Sequence, residues 1–355
     1  MTTPSALAGP LRRADALLSR STLLRHLLFT LVAAVLLLAL TYQLAPFRNF
    51  QLATVAAYLC ATAGLTVLTG LNGQLSLGHG ALMAVGAYTV ALSQNRFADD
   101  GVTGNGVLAV SVALGVLVTL VVGLVIGLAA ARLRGPYLAG VTLAFAVAVP
   151  SATIVWDEIF NSDQGLGVYL EPPPIGLGYD FPLERWQAWL AVSASLLTLL
   201  LLANLLRSRF GRALRVVRDD EVAARLSGVN VARTQVLAFV VSAACAGLGG
   251  AMLAVITQSV SPGAYSLTLS LFLLLAVVAG GLGSLAGAVW GALLLVLLPD
   301  LTHALGQQFT LSPAAAQRLE GNLPLAIFGV TLIVVMIAAP GGIQGLVRKA
   351  LRLKR

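Results

Sequence analysis

The sequence predicts an all-α fold, a polytopic helical membrane protein of about ten transmembrane or re-entrant segments, and three observations predict it. Residues Thr234 to Pro299 run 66 positions without an Asp, Glu, Lys or Arg. Only 10% of the 355 residues are charged, against about 25% in soluble domains. Basic residues gather in a few stretches separated by apolar runs, the pattern of alternating loops on two sides of a bilayer. A hydrocarbon core about 30 Å thick takes about 20 apolar residues per helical pass. The uncharged run is therefore about three passes joined by tight turns.

Residues 1–25 hold Arg12, Arg13, Arg20 and Arg25 and read as a cytoplasmic basic segment. The apolar run 27–45 is too long for a signal-peptide core and lacks a small-residue cleavage site, so it reads as an uncleaved first span. Further spans follow near 50–70, 75–94, 106–131, 136–156, 187–206, 234–257, 266–281, 284–299 and 323–340. Arg132 and Arg134 mark one cytoplasmic turn. Seven arginines mark the loop 207–233, and Arg348, Lys349, Arg352, Lys354 and Arg355 mark a basic tail at 346–355. The opposite loops are acidic. The longest, 157–186, carries Asp157, Glu158, Asp163, Glu171, Asp180 and Glu184 against Arg185 alone. Ten passes place both termini inside, with the whole of 26–345 as one transmembrane domain. The net charge of +8 then reads as topology and attraction to anionic lipid, with no nucleic-acid partner.

The segment 266–281 has only 16 residues, about 24 Å as a helix. Ser261-Pro262-Gly263 precede it and Gly280-Gly281-Leu282-Gly283 follow it, as expected of a discontinuous or re-entrant helix. The turn Gly70-Leu71-Asn72-Gly73-Gln74 has the same character, and the likeness of 50–95 to 260–300 is either a faint internal repeat or the chance recurrence of glycine in a glycine-rich membrane chain. Small residues recur at spacings of four in Ser76/Gly80/Ala84, Gly123/Gly127, Ala243/Gly247/Ala251 and Gly283/Gly287/Gly291. Each stripe offers a flat face for close helix packing. Cys60 and Cys245 lie in apolar segments and read as packing residues without a disulfide. No His or Cys spacing predicts a metal site.

Two polar constellations carry chemistry. In the loop 207–233, Asp219 is placed to cap a short helix, and Asp220 and Glu221 favour its positive end. Val222 and Leu226 share a face, Ala223 and Ala224 lie between, and Gly228 stops the helix. Two turns are too short to be stable alone. The loop is either a helix that docks in a partner's groove or a solvated basic loop that sets topology. The second constellation surrounds His79, the only one of three histidines well inside an apolar segment. It is a functional candidate by its setting, or a packing residue bonded to a neighbour. Gln74 and Ser76 can bind a polar solute or cap the helix. No G-x-x-x-x-G-K-[ST] occurs, so ATP cannot bind through a P-loop of this chain, and no carboxylate lies mid-span to couple protons. Hydrolase, intramembrane-protease and haem motifs are absent, and paired acid–base groups are lacking. The two surviving classes are a permease driven by a partner's energy source and a stand-alone carrier or channel.

Residues 70–89, GLNGQLSLGHGALMAVGAYT, resemble the signature of the branched-chain amino-acid ABC permeases, M-type subunit. The loop RFGRALRVVRDDEVAARLSGVNV, starting at Arg209, resembles that family's ATPase-coupling loop, and residues 279–292, AGGLGSLAGAVWGA, resemble a third family block. The resemblance spans about 25–345. It implies a transport permease of the bacterial inner membrane, not an enzyme, with no cofactor of its own. ATP and Mg would be bound by two partner ATPase subunits. A second homologous permease and a periplasmic binding protein, facing the loop 157–186, complete the implied system. The coupling loop would comprise Gly211, Arg212, Arg215, Asp219, Glu221, Ala223, Ala224, Leu226 and Gly228. Asp220 stands where many members carry Asn. Gln74, Ser76 and His79 are candidates for the translocation path, and Gly80, Gly247, Gly283, Gly287 and Gly291 for helix packing. The family also includes urea and short-amide importers, so resemblance alone leaves the solute open.

Overall fold

A computed structural model of the chain describes residues 22–133, 136–170, 172–178, 180–306 and 341–353, with a few helical positions between 329 and 337. The helices in order are α1 (Thr22–Thr41), α2 (Pro46–Leu65), α3 (His79–Asp99), α4 (Asn105–Ala130), α5 (Pro136–Val155) and the single turn α6 (Asp157–Phe160). They continue as α7 (Leu183–Arg207), α8 (Arg209–Asp219), α9 (Glu221–Leu226), α10 (Val231–Thr257), α11 (Leu267–Gly281), α12 (Leu285–Gly306) and α13 (Gly342–Leu353). Seven helices among the described residues are long and apolar enough to cross a membrane. The protein is a polytopic helical membrane protein. Nine of the ten expected segments are helical, while the tenth, 323–340, falls almost wholly outside the described residues.

Burial sorts the bundle into centre and rim. The apolar windows of α10 and α2 are 78% and 72% buried, and that of α1 is 0% buried. Lipid is as apolar as leucine, so what draws membrane helices together is close packing and hydrogen bonding. Glycines supply the packing here. A Cβ at Gly86 would sit 2.7 Å from the Gly247 Cα, one at Gly249 2.8 Å from the Ala57 oxygen, and one at Gly250 would overlap the Met83 carbonyl. Gly287 and Gly291 fit α12 against α11 at Gly280 and Ala276. Cys60 and Cys245 are free and buried, and a Cβ at Gly64 would lie 2.6 Å from the Cys245 Cβ.

Peripheral α1 is held to α7 by polar contacts near its two ends. His26 Nδ1 lies 2.8 Å from Asn204 Oδ1, and Trp189 Nε1 donates to Thr41 Oγ1 at 3.0 Å. The Arg185 guanidinium stacks 4.5 Å from the Tyr42 ring centre, a cation–π contact at the second of these ends. The acidic loop after α6 is pinned by a two-residue antiparallel pairing, Leu166–Gly167 with Ser259–Val260.

Two expected stripes are corrected. Ser76 lies outside α3, because the chain is not helical over 73–78. Gly283 lies outside α12 in a turn with φ +77°, a conformation that glycine adopts without a Cβ penalty. Three helices among the described residues escaped the sequence reading: the single turn α6, α8, and α13 in the basic tail. Turning the α7–α8 corner requires Gly211, where any Cβ would overlap the Leu206 backbone. Ser208 caps α8, its Oγ accepting from the Phe210 N–H at 3.1 Å.

Gly250→Ala should cost about 1–3 kcal/mol by overpacking α10 on α3. Gly140→Ala, at a position with open space around it, is the neutral control. The melting temperature of the detergent-purified protein should fall by several degrees for the first variant and stay unchanged for the second.

Candidate functional site

The first expected site, the loop 207–233, folds into α8 and α9. Phe210, Leu214 and Val217 follow helical spacing, and Leu214 and Val217 are buried on the bundle while Arg212 and Arg215 stay outside. Arg215 Nη2 donates to the Leu206 carbonyl at 3.2 Å. The cap of α9 is Asp220, not Asp219. Asp220 Oδ1 accepts from the Val222 and Ala223 amides at 2.7 and 3.1 Å. Asp219 is instead the last residue of α8, 3.3 Å from Arg218 Nε. The register differs because α8 runs one residue further than a loop reading allows, and the extended residue between two helices is the one that can cap.

At the far end Gly228, φ +79°, donates to the Arg225 carbonyl and Val229 to that of Ala224, both at 3.0 Å. This is the paired closure of a Schellman motif. Ala224 is fully buried against Val217 and Val231. Glu221 accepts from Gln235 Nε2 at 2.8 Å and lies 3.6 Å from Arg225. A six-residue helix is thus fixed at both ends and along one side. Its other side projects Val222 and Leu226, 65% and 86% exposed, and the exposed Ala223. Beside it a cleft of about 400 Å³ is lined by Glu221, Arg225, Asn230, Gln235 and Ala131.

The second expected site is the break between α2 and α3. A π-helical turn, Thr66–Leu71, ends α2, and the Asn72 amide donates to the Val67 carbonyl. The backbone beyond is irregular yet mostly buried, and its polar groups are met by other helices. Leu77 N–H donates to Thr142 Oγ1 at 3.0 Å, and Gly80 N–H to Ser270 Oγ at 2.9 Å. His79 Nε2 lies 2.9 Å from Ser242 Oγ. Ser76 is fully buried and its Oγ accepts from the Gly78 amide at 3.4 Å. Gln74 and Asn72 are 7% and 4% exposed. Gln74 Oε1 and both amide atoms of Asn72 have no hydrogen-bond partner among the described residues. An unpaired buried polar group costs about 1–3 kcal/mol.

The two sites touch. Arg218 Nη1 donates to the Gly70 carbonyl at 2.8 Å. Gly70 in turn abuts the Gly283 backbone, so the α2–α3 and α11–α12 breaks meet at the end of the bundle that carries α8 and α9. The sequence placed Arg218 among charges that set topology. The apolar spacing of Phe210, Leu214 and Val217 was the signal that could have put it on a helix. Nothing in the sequence could pair Ser242, Ser270 and Thr142 with the break. Replacing Asp220 by Ala should cost α9 about 1 kcal/mol of cap stability and speed amide exchange at Val222 and Ala223 roughly fivefold. Exchange in α10 should not change.

Residues 49–339 match the family described as the branched-chain amino acid transport system / permease component. The chain is 30% identical over 318 residues to the high-affinity branched-chain amino acid transport system permease protein LivM of Salmonella typhimurium, covering 84% of this chain and 70% of that protein. It is 30% identical over 346 residues to LivM of Escherichia coli, covering 91% and 76%. The probable LivM of Methanocaldococcus jannaschii is 24% identical over 260 residues, covering 72% and 73%. No solved structure matches. A bundle of lipid-solvated helices with this match along most of its length belongs to the branched-chain amino acid ABC permease family and is LivM-like.

Proposed function

We propose that this chain is the permease subunit of an ATP-binding-cassette importer that carries branched-chain amino acids across the bacterial inner membrane. It works with a second homologous permease, two ATPase subunits that bind ATP and Mg, and a periplasmic binding protein. The observation that carries the reading is α9. A rigid helix with a bare valine and leucine on its outer side is a docking element for a groove in a partner. Isolated exposed leucines are ordinary, but an exposed pair on a helix capped at both ends gives a partner a preorganised target. In this reading Gly211 turns the chain into α8. Arg212 and Arg215 ring the docking surface. Asp219, Glu221, Ala223, Ala224, Leu226 and Gly228 build or present it.

Sidedness follows from charge. The arginines of α8 and α9 lie at the same end as Ala131, the turn at Gly70 and the turn at Ser284, to which Arg348 Nη2 donates at 3.3 Å. Basic loops face the cytoplasm, so this end and both termini are cytoplasmic. The acidic loop 157–186 is then periplasmic and faces the binding protein. Gln74, Ser76 and His79 sit where helical backbone is interrupted inside the bundle, the position that suits a translocation path. The resemblance to LivM proteins supports branched-chain amino acids as cargo.

Replacing Val222 and Leu226 together by Glu should leave insertion intact and abolish ATP-driven leucine uptake by the assembled transporter. Wild-type uptake in that variant would remove the docking role. Leucine flux through this chain alone in liposomes, without ATP or partners, would assign it instead as a stand-alone carrier.

A further inference from the structure

We propose that Arg218 is a latch through which α9 controls the two helix breaks at the basic end of the bundle. This rests on the importer reading, because it gives that reading's driving motion a specific side chain. Arg218 stands two residues before Asp220, the cap of α9, so a displacement of α9 displaces it. Its guanidinium spans two acceptors. Nη1 donates to the Gly70 carbonyl at 2.8 Å and Nε to Asp219 Oδ1 at 3.3 Å. The final carbonyls of a helix lack intrahelical partners and carry partial negative charge, and a planar cation with several donors suits them. The side chain also rests on the break itself. A Cβ at Gly73 would lie 2.9 Å from Arg218 Cγ, and one at Gly283 3.7 Å from Nη1. One residue thus touches α9's root, the α2–α3 break and the rim of the α11–α12 break.

A second observation bears on what an opening of the break would admit. Asn72 and Gln74 are buried with amide atoms that find no partner among the described residues. Buried polar groups are ordinarily satisfied. A conformation that admits water or a polar solute beside them satisfies these two. In the present arrangement these groups are buried, and the Arg218–Gly70 bond holds the break in it. When α9 is drawn away, Arg218 leaves Gly70, the glycine contact between the breaks loosens, and Asn72 and Gln74 become hydrated. Arg218 acts as a positioning residue in this scheme. It need not touch the solute.

The test uses the assembled transporter in proteoliposomes, with radiolabelled leucine and ATP hydrolysis measured in parallel. Labelling of Asn72→Cys by a membrane-impermeant maleimide is measured separately, in a background where Cys60 and Cys245 are Ala. Arg218→Gln should keep ATP hydrolysis while leucine moved per ATP falls about tenfold, the scale of one lost charge-assisted hydrogen bond. The same substitution should raise labelling of Asn72→Cys several-fold without ATP. Unchanged labelling overturns the latch, whatever the transport-to-hydrolysis ratio. Should Arg218→Gln fail to insert, Arg218→Lys decides. A lysine cannot bridge Asp219 and Gly70 with a planar fork, so labelling rises if the latch exists and stays at the wild-type rate if it does not. Absence of ATP-driven uptake in the wild-type complex would overturn the importer reading. The labelling arm needs no ATPase and judges the latch by itself.

Discussion

In a bundle solvated by lipid, every backbone amide and carbonyl must find its partner inside the protein. The irregular stretch between α2 and α3 is where this constraint is hardest to meet, and the surrounding helices are arranged to meet it. Thr142 of α5 and Ser270 of α11 accept from the Leu77 and Gly80 amides, and Arg218 of α8 donates to the Gly70 carbonyl. Ser242 of α10 pairs with His79. Four other helices are thus tied to one break. Moving any of them takes a bonded partner from a polar group of the break.

That same constraint explains the glycines. Side-chain hydroxyls reach a neighbouring backbone only if helices approach closely, and close approach requires small residues at the crossing points. Gly80 shows both uses together. Its amide is bonded by Ser270, and a Cβ there would sit 2.7 Å from the Ser270 Oγ. Gly247 shows the close approach alone, against α4, where a Cβ would meet Thr119 Oγ1 at 2.5 Å. The centre of the bundle is built from such contacts. Its rim, in α1, α4 and α5, carries large exposed apolar side chains suited to lipid.

The α8–α9 unit follows a different logic because water reaches it. Six residues cannot sustain a helix by propensity. The order of α9 comes from the Asp220 cap, the Gly228 closure and Ala224 seated against Val217 and Val231. With its geometry set by those anchors, its outer side is free to be apolar. A rigid surface helix whose root is bonded to a buried break can pass a push inward, which a flexible loop could not.

Charge spacing and composition determined the solvent, the apolar segments seen among the described residues and the grouping of basic loops, because an ion in hydrocarbon is costly whatever the tertiary arrangement. The short helix at 221–226 and the glycine-bounded break near Gly70 were legible for local reasons: caps, φ-permissive residues and i, i+4 spacing. The cap's register was misread by one residue because its position depends on where α8 ends, and α8 owes its length to Leu214 and Val217 packing on the bundle. Which hydroxyl meets which amide, that Gly283 belongs to a turn facing Gly70, and that Arg218 bridges the surface helix to the break were decided only by tertiary structure. Those contacts join residues up to 213 positions apart, Gly70 to Gly283, and no local pattern encodes a partner at that distance.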